Sequence, residues 1–180
     1  MNKKDFDSFI NKQQEIKDKE NKVNWEELKL SYLNSLKILF ENIHEYIHEY
    51  EISGKIISEY KNENLTEEHI GEYSVKVLEL YIGNHTVRIV PKGRNIFGAK
   101  GRVDLIGPKG SVRIVLVNKH STGVKIKISI AGKESLKQKE DPPDDPIDWV
   151  WKIATRPPKV KLVELNQEKF LGSIMEVIGE

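Results

Sequence analysis

The residues best suited to chemistry in this chain lie together at His44-Glu45-Tyr46-Ile47-His48. Histidines four apart share one face of a helix, so both imidazoles can reach one zinc ion while the glutamate between them takes a proton from metal-bound water. The chemistry implied is hydrolysis at a zinc centre, with His44 and His48 as ligands and Glu45 as general base. A third ligand must come from downstream, and Glu63 is its candidate.

Glu63 lies in Asn62-Glu63-Asn64-Leu65-Thr66-Glu67, which is similar to the Asn-Glu-x-x-Ser-Asp element of thermolysin-like enzymes. Other features weigh against a zinc site. Glu49, directly after the second histidine, is charged where those enzymes carry an uncharged residue, and the short stretch before His44 has no strand signal from which to build a cleft. The segment is also a near-repeat in which each histidine follows an apolar residue, Ile43 or Ile47. The favoured reading is therefore a helix whose histidines flank the core, with no catalytic residue and no cofactor; a small zinc hydrolase ranks third among the functional alternatives.

Three further motifs fail in detail. The loop Gly93 to Arg102 is rich in glycine, but a phosphate-binding loop needs lysine directly after its last glycine, then Ser or Thr, and here Ala99 intervenes. Asp104 on one strand and Lys119 after the next look like a nuclease core, yet Val117 stands where the second metal-binding acid is required. The aspartates from Asp141 to Asp145 lack calcium-loop spacing.

Electrostatics is the more informative signal. Residues 1 to 83 carry 11 basic and 17 acidic side chains, whereas residues 84 to 133 carry 11 basic side chains and a single acid, Asp104. Residues 134 to 148 return to acid, with 2 basic and 6 acidic groups. Hairpin registers place Arg88, Arg102, Arg113, Lys125 and Lys127 on the sheet side opposite the apolar one, a face able to hold anions by point charges. Glu79 and Asp104 fall opposite Arg88 and Arg113 and can neutralise them, and no exposed aromatic residue is placed to stack bases.

Those registers come from the turns. Gly83-Asn84 suits a two-residue hairpin that pairs Ile82 with His85, Leu80 with Val87 and Leu78 with Ile89. Gly107-Pro108-Lys109-Gly110 pairs Ile106 with Ser111, Leu105 with Val112 and Val103 with Ile114. A third turn, Asn118 to Thr122, sets Val124, Ile126 and Ile128 against Leu116, Ile114 and Val112. Residues 134 to 148, centred on Asp141-Pro142-Pro143-Asp144-Asp145-Pro146, cannot hold a sheet and read as an extended acidic loop.

Helices flank this sheet. Lys3 to Glu20 is highly charged with few apolar anchors (Phe6, Ile10, Ile16), so it needs a partner or frays. Asn24 and Glu27 form a capping box for a long helix with the stripe Trp25, Leu28, Tyr32, Leu36, Leu39 or Phe40, Ile43, Ile47 and Tyr50, ending at Ser53-Gly54. A short helical turn is expected at Thr66. Near the end, Trp149, Trp151 and Ile153 alternate along a strand, Val160 to Glu164 forms another, and Asn166 caps a last helix with Phe170, Ile174, Val177 and Ile178 on its buried side. Trp149 and Trp151 are core anchors first and a possible interface second.

Trp151-Lys152-Ile153-Ala154-Thr155-Arg156-Pro157-Pro158, then Glu164-Leu165, Phe170 and Met175-Glu176-Val177-Ile178-Gly179, resembles the ending of a group of uncharacterised bacterial proteins. Gly101 to Ser111 is similar to their middle. The resemblance spans roughly Gly71 to Glu180 and implies a bacterial source, but it implies no activity and no functional residues.

The expected fold is α+β: N-terminal helices over residues 1–71, then a β-rich domain over 72–180 with a mainly antiparallel sheet of about six or seven strands and a C-terminal helix packed on it. The absence of cysteine excludes disulfides, thiolate zinc sites and cysteine nucleophiles. With no long apolar run, a cytoplasmic protein without a membrane partner is expected. The leading functional expectation is a non-enzymatic interaction protein that binds a protein partner, or a second copy of itself, through the basic sheet face or the long amphipathic helix. A nucleic-acid-binding accessory protein is the alternative.

Overall fold

The computed structural model describes residues 3–20, 23–94, 99–121, 148–156 and 160–179. The expected α+β fold is found. Its helices are α1 (Lys3–Glu20), α2 (Trp25–Ile52) and α3 (Gln167–Ile178). Its strands are β1 (Ile56–Glu67), β2 (Gly71–Ile82), β3 (His85–Gly93), β4 (Gly101–Gly107), β5 (Gly110–Asn118), β6 (Trp149–Ala154) and β7 (Leu162–Glu164). The seven strands among the described residues form one antiparallel sheet in chain order.

Helix α2 starts where the capping box places it. The Glu27 amide donates to Asn24 Oδ1 at 3.1 Å, and Asn24 Nδ2 donates to Glu27 Oε2 at 3.2 Å, satisfying an otherwise orphaned N–H of the first turn. The helix ends at Ser53, whose N–H reaches back to the Glu49 carbonyl, and Gly54 follows with φ of 69°. Tyr32, Leu36, Leu39, Phe40, Ile43 and Ile47 are buried against the sheet. Tyr50, the last residue of the expected stripe, is exposed.

The two expected hairpins have the expected registers. Leu78 faces Ile89 and Leu80 faces Val87; Leu105 faces Val112, Val103 faces Ile114 and Asp104 faces Arg113. At the first turn Gly83 alone takes a positive φ, 57°, as the first position of a type II′ turn requires. These apolar residues, with Trp151 and Ile153 from β6, meet α2 and the α3 side chains Phe170, Ile174 and Val177 in one core. Each fully buried aliphatic side chain there contributes roughly 1.5–3 kcal/mol.

Two expectations are corrected. Residues 56–67 form β1, so the helical turn expected at Thr66 is the end of a strand, and the chain turns back through Glu68, His69 and Ile70. β1 reads as polar coil because Glu59, Lys61, Asn62, Glu63 and Asn64 carry little apolar periodicity; an unbroken register with β2 from Ile56↔Ile82 to Glu67↔Gly71 makes it a strand. The second correction concerns β5. Its other side is paired with β6, through Ile114↔Ile153 and Leu116↔Trp151, where the sequence expects Val124, Ile126 and Ile128. Those three residues, Lys125, Lys127 and most of the acidic loop lie outside the described residues.

The β1–β2 hairpin runs back beside α2. His69, at its tip with φ of 68°, stacks on Trp25 at the helix start with ring centroids 4.8 Å apart.

Candidate functional site

Side-chain alternation along the paired strands sorts Glu59, Lys61, Glu63, Glu79, Arg88, Asp104, Arg102 and Arg113 onto the sheet face away from α2 and α3. This is the face expected to be basic. Arg88 Nε donates to Glu79 Oε1 at 3.0 Å, and its Nη2 donates to Glu63. Lys61 Nζ lies 2.7 Å from Glu79 Oε2, which also accepts from the Tyr81 hydroxyl at 2.8 Å. Tyr81 stands 3.1 Å from Glu59 Oε2 as well.

Glu79 is the hub of this network and is buried. Its hydrogen bond from Lys61, followed by the one from Tyr81, outweighs desolvation and holds its carboxyl down to about 2. Along β4, Arg102 makes a two-pronged contact with Asp104, Nε to Oδ1 at 2.6 Å and Nη2 to Oδ2 at 2.7 Å. The register sets Arg113 opposite Asp104, but the carboxylate turns to Arg102, and Arg113 is left exposed.

Strand β1 therefore changes the character of this face. It brings Glu63 to Arg88 and sets Glu59 opposite Glu79, and the described charges form a mixed ladder in place of a field of one sign. The face also has its own apolar residues: Val75, Val77, Val90, Val115, Val117 and Ala154 are buried on it. These are additional to the apolar residues that the registers assign to the helix side, Leu78, Leu80, Val87, Ile89, Val103, Leu105, Val112 and Ile114, which do lie there. Regular alternation in Leu78 to Ile82 concealed that the neighbouring positions are buried as well.

On the helix side of the sheet, both ring nitrogens of His44 are engaged. Nδ1 lies 3.1 Å from Glu51 Oε1 and Nε2 lies 2.9 Å from the Tyr60 hydroxyl. The tautomer that satisfies both donates from Nδ1 to the carboxylate and accepts the tyrosine proton at Nε2. Ser58 Oγ donates to the same Glu51 carboxylate. Glu45 and His48 are exposed, and Glu63 is on the opposite face with Arg88. The structure thus does not bring the candidate ligands His44, His48 and Glu63 together, and among the described residues no three His, Asp or Glu side chains converge on a point where a metal could sit.

A second polar cluster was not legible in the sequence. Glu67, buried at the end of β1, accepts from the Tyr73 hydroxyl and from the Arg94 amide, the latter at 2.7 Å. The Tyr32 hydroxyl donates to the Arg102 carbonyl at 3.0 Å and accepts the Gly93 amide at 3.2 Å. Gly93 has φ of 100°, which strains any side chain, and a Cβ there would lie 2.9 Å from the Glu67 carboxylate, which would have to shift. Burial raises the pKa of both tyrosines well above the ordinary range, and for Tyr73 the hydrogen bond to Glu67 adds to it. Burial also lowers that of Arg94. The cluster ties α2, the β1–β2 hairpin and the end of β3 together.

The tryptophans act as core. Trp151 is buried and donates from Nε1 to the Ser35 carbonyl at 2.9 Å, and Trp149 packs on the same core with Lys100 Nζ 4.4 Å above its ring. Among the described residues, α1 carries a group of exposed large apolar side chains. Phe6, Phe9, Ile10 and Ile16 are 52%, 55%, 47% and 41% exposed, and at 100° per residue they fall within one third of the helix circumference.

No family model matches this chain, and no curated protein or solved structure is similar to it. None of the described helices is long and apolar enough to cross a membrane.

Proposed function

We propose that this protein is a non-enzymatic interaction protein that docks a protein partner on the apolar stripe of α1. The observation that carries the reading is the exposure of Phe6, Phe9, Ile10 and Ile16 on a helix of 18 residues. Most of a helix's stability in a protein comes from packing its amphipathic face, so the exposed stripe of α1 calls for a surface that covers it. The charge of α1 argues for a protein as that surface. Five basic and five acidic side chains share the helix, whereas an anionic membrane or a nucleic acid selects a Lys/Arg-rich face. The mixed ladder Glu59, Lys61, Glu63, Glu79, Arg88 on the sheet supports the same choice, because its cations are already matched by carboxylates.

The test is co-purification of the untagged protein from its own host beside the variant Phe6→Asp/Ile10→Asp. A protein retained by the wild type and lost from the variant, with the circular dichroism of both otherwise alike, is the expected result. A partner held equally by both overturns the α1 reading. Co-purifying nucleic acid whose binding falls steeply with salt would favour the nucleic-acid alternative. Stoichiometric zinc, together with a hydrolytic activity abolished in His44→Ala, would favour the hydrolase.

A further inference from the structure

The two edges of the sheet are built differently. At one edge β7 has three residues, Leu162–Glu164, the short edge by which sheets avoid pairing with other chains. The other edge is β1, with 12 residues, no proline or glycine, and an unbroken register with β2. Among the described residues no strand pairs with the outer side of β1. Its N–H and C=O groups on that side form a ready template for another strand.

We propose that β1 pairs antiparallel with β1 of a second copy, on a two-fold axis through Tyr60, to join two sheets into one. The sequence of the strand chooses both the occupant and the register. Glu59, Lys61 and Glu63 alternate in sign on one face, and an antiparallel copy centred on Tyr60 sets Glu59 of each chain opposite Lys61 of the other, whose ammonium, 47% exposed, keeps donors beyond the one given to Glu79. Centring on Lys61 would oppose Lys61 to Lys61 and Glu59 to Glu63, and like charges directly opposite destabilise a sheet. Centring on Asn62 matches Lys61 with Glu63, but drives the pairing into Glu67, which is buried and committed to Tyr73 and Arg94.

The register through Tyr60 confines the contact to Ile56 through Asn64. It also sets the two Tyr60 rings, each 41% exposed, against each other on the helix side. Ile57, 63% exposed on the opposite face, lies within the paired stretch. A strand whose own charge pattern complements its antiparallel image is suited to a second copy of itself.

The experiment is sedimentation velocity of the full-length protein over a concentration series, with Glu59→Lys, Lys61→Glu and the double swap Glu59→Lys/Lys61→Glu. A wild-type dimer is expected, each single variant should weaken it about ten-fold or more, and the double swap should restore it. A wild type still monomeric at about 1 mM overturns the proposal. So does a dimer that both single variants retain. Where a variant fails to fold, hydrogen exchange of the wild type decides: amides of residues 56–64 must become protected as concentration rises, and unchanged exchange there overturns the pairing.

Discussion

The hydroxyl of Tyr32 on α2 donates to the backbone carbonyl of Arg102 on β4 at 3.0 Å, and the same oxygen accepts the Gly93 amide at 3.2 Å. One buried side chain thus joins the helix to two strands that a loop separates. Tyr32→Phe leaves the ring and removes both bonds, stranding a buried amide and a carbonyl. A loss of about 1–3 kcal/mol in urea unfolding is expected. A neutral substitution would show that the cluster is ornamental to the fold.

Two glycines should respond to alanine with opposite signs. A Cβ on Gly107 would lie 2.5 Å from the Val177 carbonyl oxygen, where α3 comes down on the β4–β5 turn and Lys109 donates to that same carbonyl at 2.9 Å. Gly107→Ala must push the helix back and should cost about 1–3 kcal/mol. Gly172 lies inside α3 on its exposed side with nothing within 4 Å. Gly172→Ala should therefore raise stability by roughly 0.5–1 kcal/mol through helix propensity alone.

The charge ladder makes an acid-side prediction. Lys61, then Tyr81 and Arg88, hold the Glu79 carboxyl down to about 2. A carboxyl whose folded pKa lies below its unfolded value of about 4.5 contributes stability that is present above that value and lost as pH falls toward 2. Glu79→Gln should lower stability by roughly 1 kcal/mol at neutral pH, because its partners are partly solvated. The gap between the two proteins should close between about pH 5 and pH 2. A gap that is constant over this range would assign the effect to shape rather than charge.

At alkaline pH the sign reverses. Burial raises Tyr32, and burial with the Glu67 bond raises Tyr73. Their neutral forms are thus favoured in the folded chain, and the stability they contribute is complete below the unfolded tyrosine value of about 10 and drains away above it. Absorbance at 295 nm should show part of the tyrosine ionisation arriving only with unfolding, and Tyr32→Phe should reduce the alkaline loss. Ionisation of all six tyrosines in the folded protein would contradict this.

Local chemistry was enough for most of the framework. Asn24 and Asn166 each bind an amide three residues on, as their sequences require. The turns at Gly83 and Gly107 carry their own registers, because a one-residue slip would turn Leu78, Leu80, Leu105 and Ile114 away from the core. What the residues could not announce depended on partners distant in the chain. Strand β1 has little periodicity of its own and is held by twelve pairings to β2. The outer side of β5 could accept any strand with the right alternation, and Trp151 and Ile153 occupy it, because the tryptophan also reaches α2 through its bond to Ser35. The charge on the sheet was decided the same way. Arg88 and Arg102 were visible as a basic set, but whether such a set is free or spent depends on which carboxylates the folded chain brings within 3 Å, and Glu63 arrives from a strand that only pairing creates.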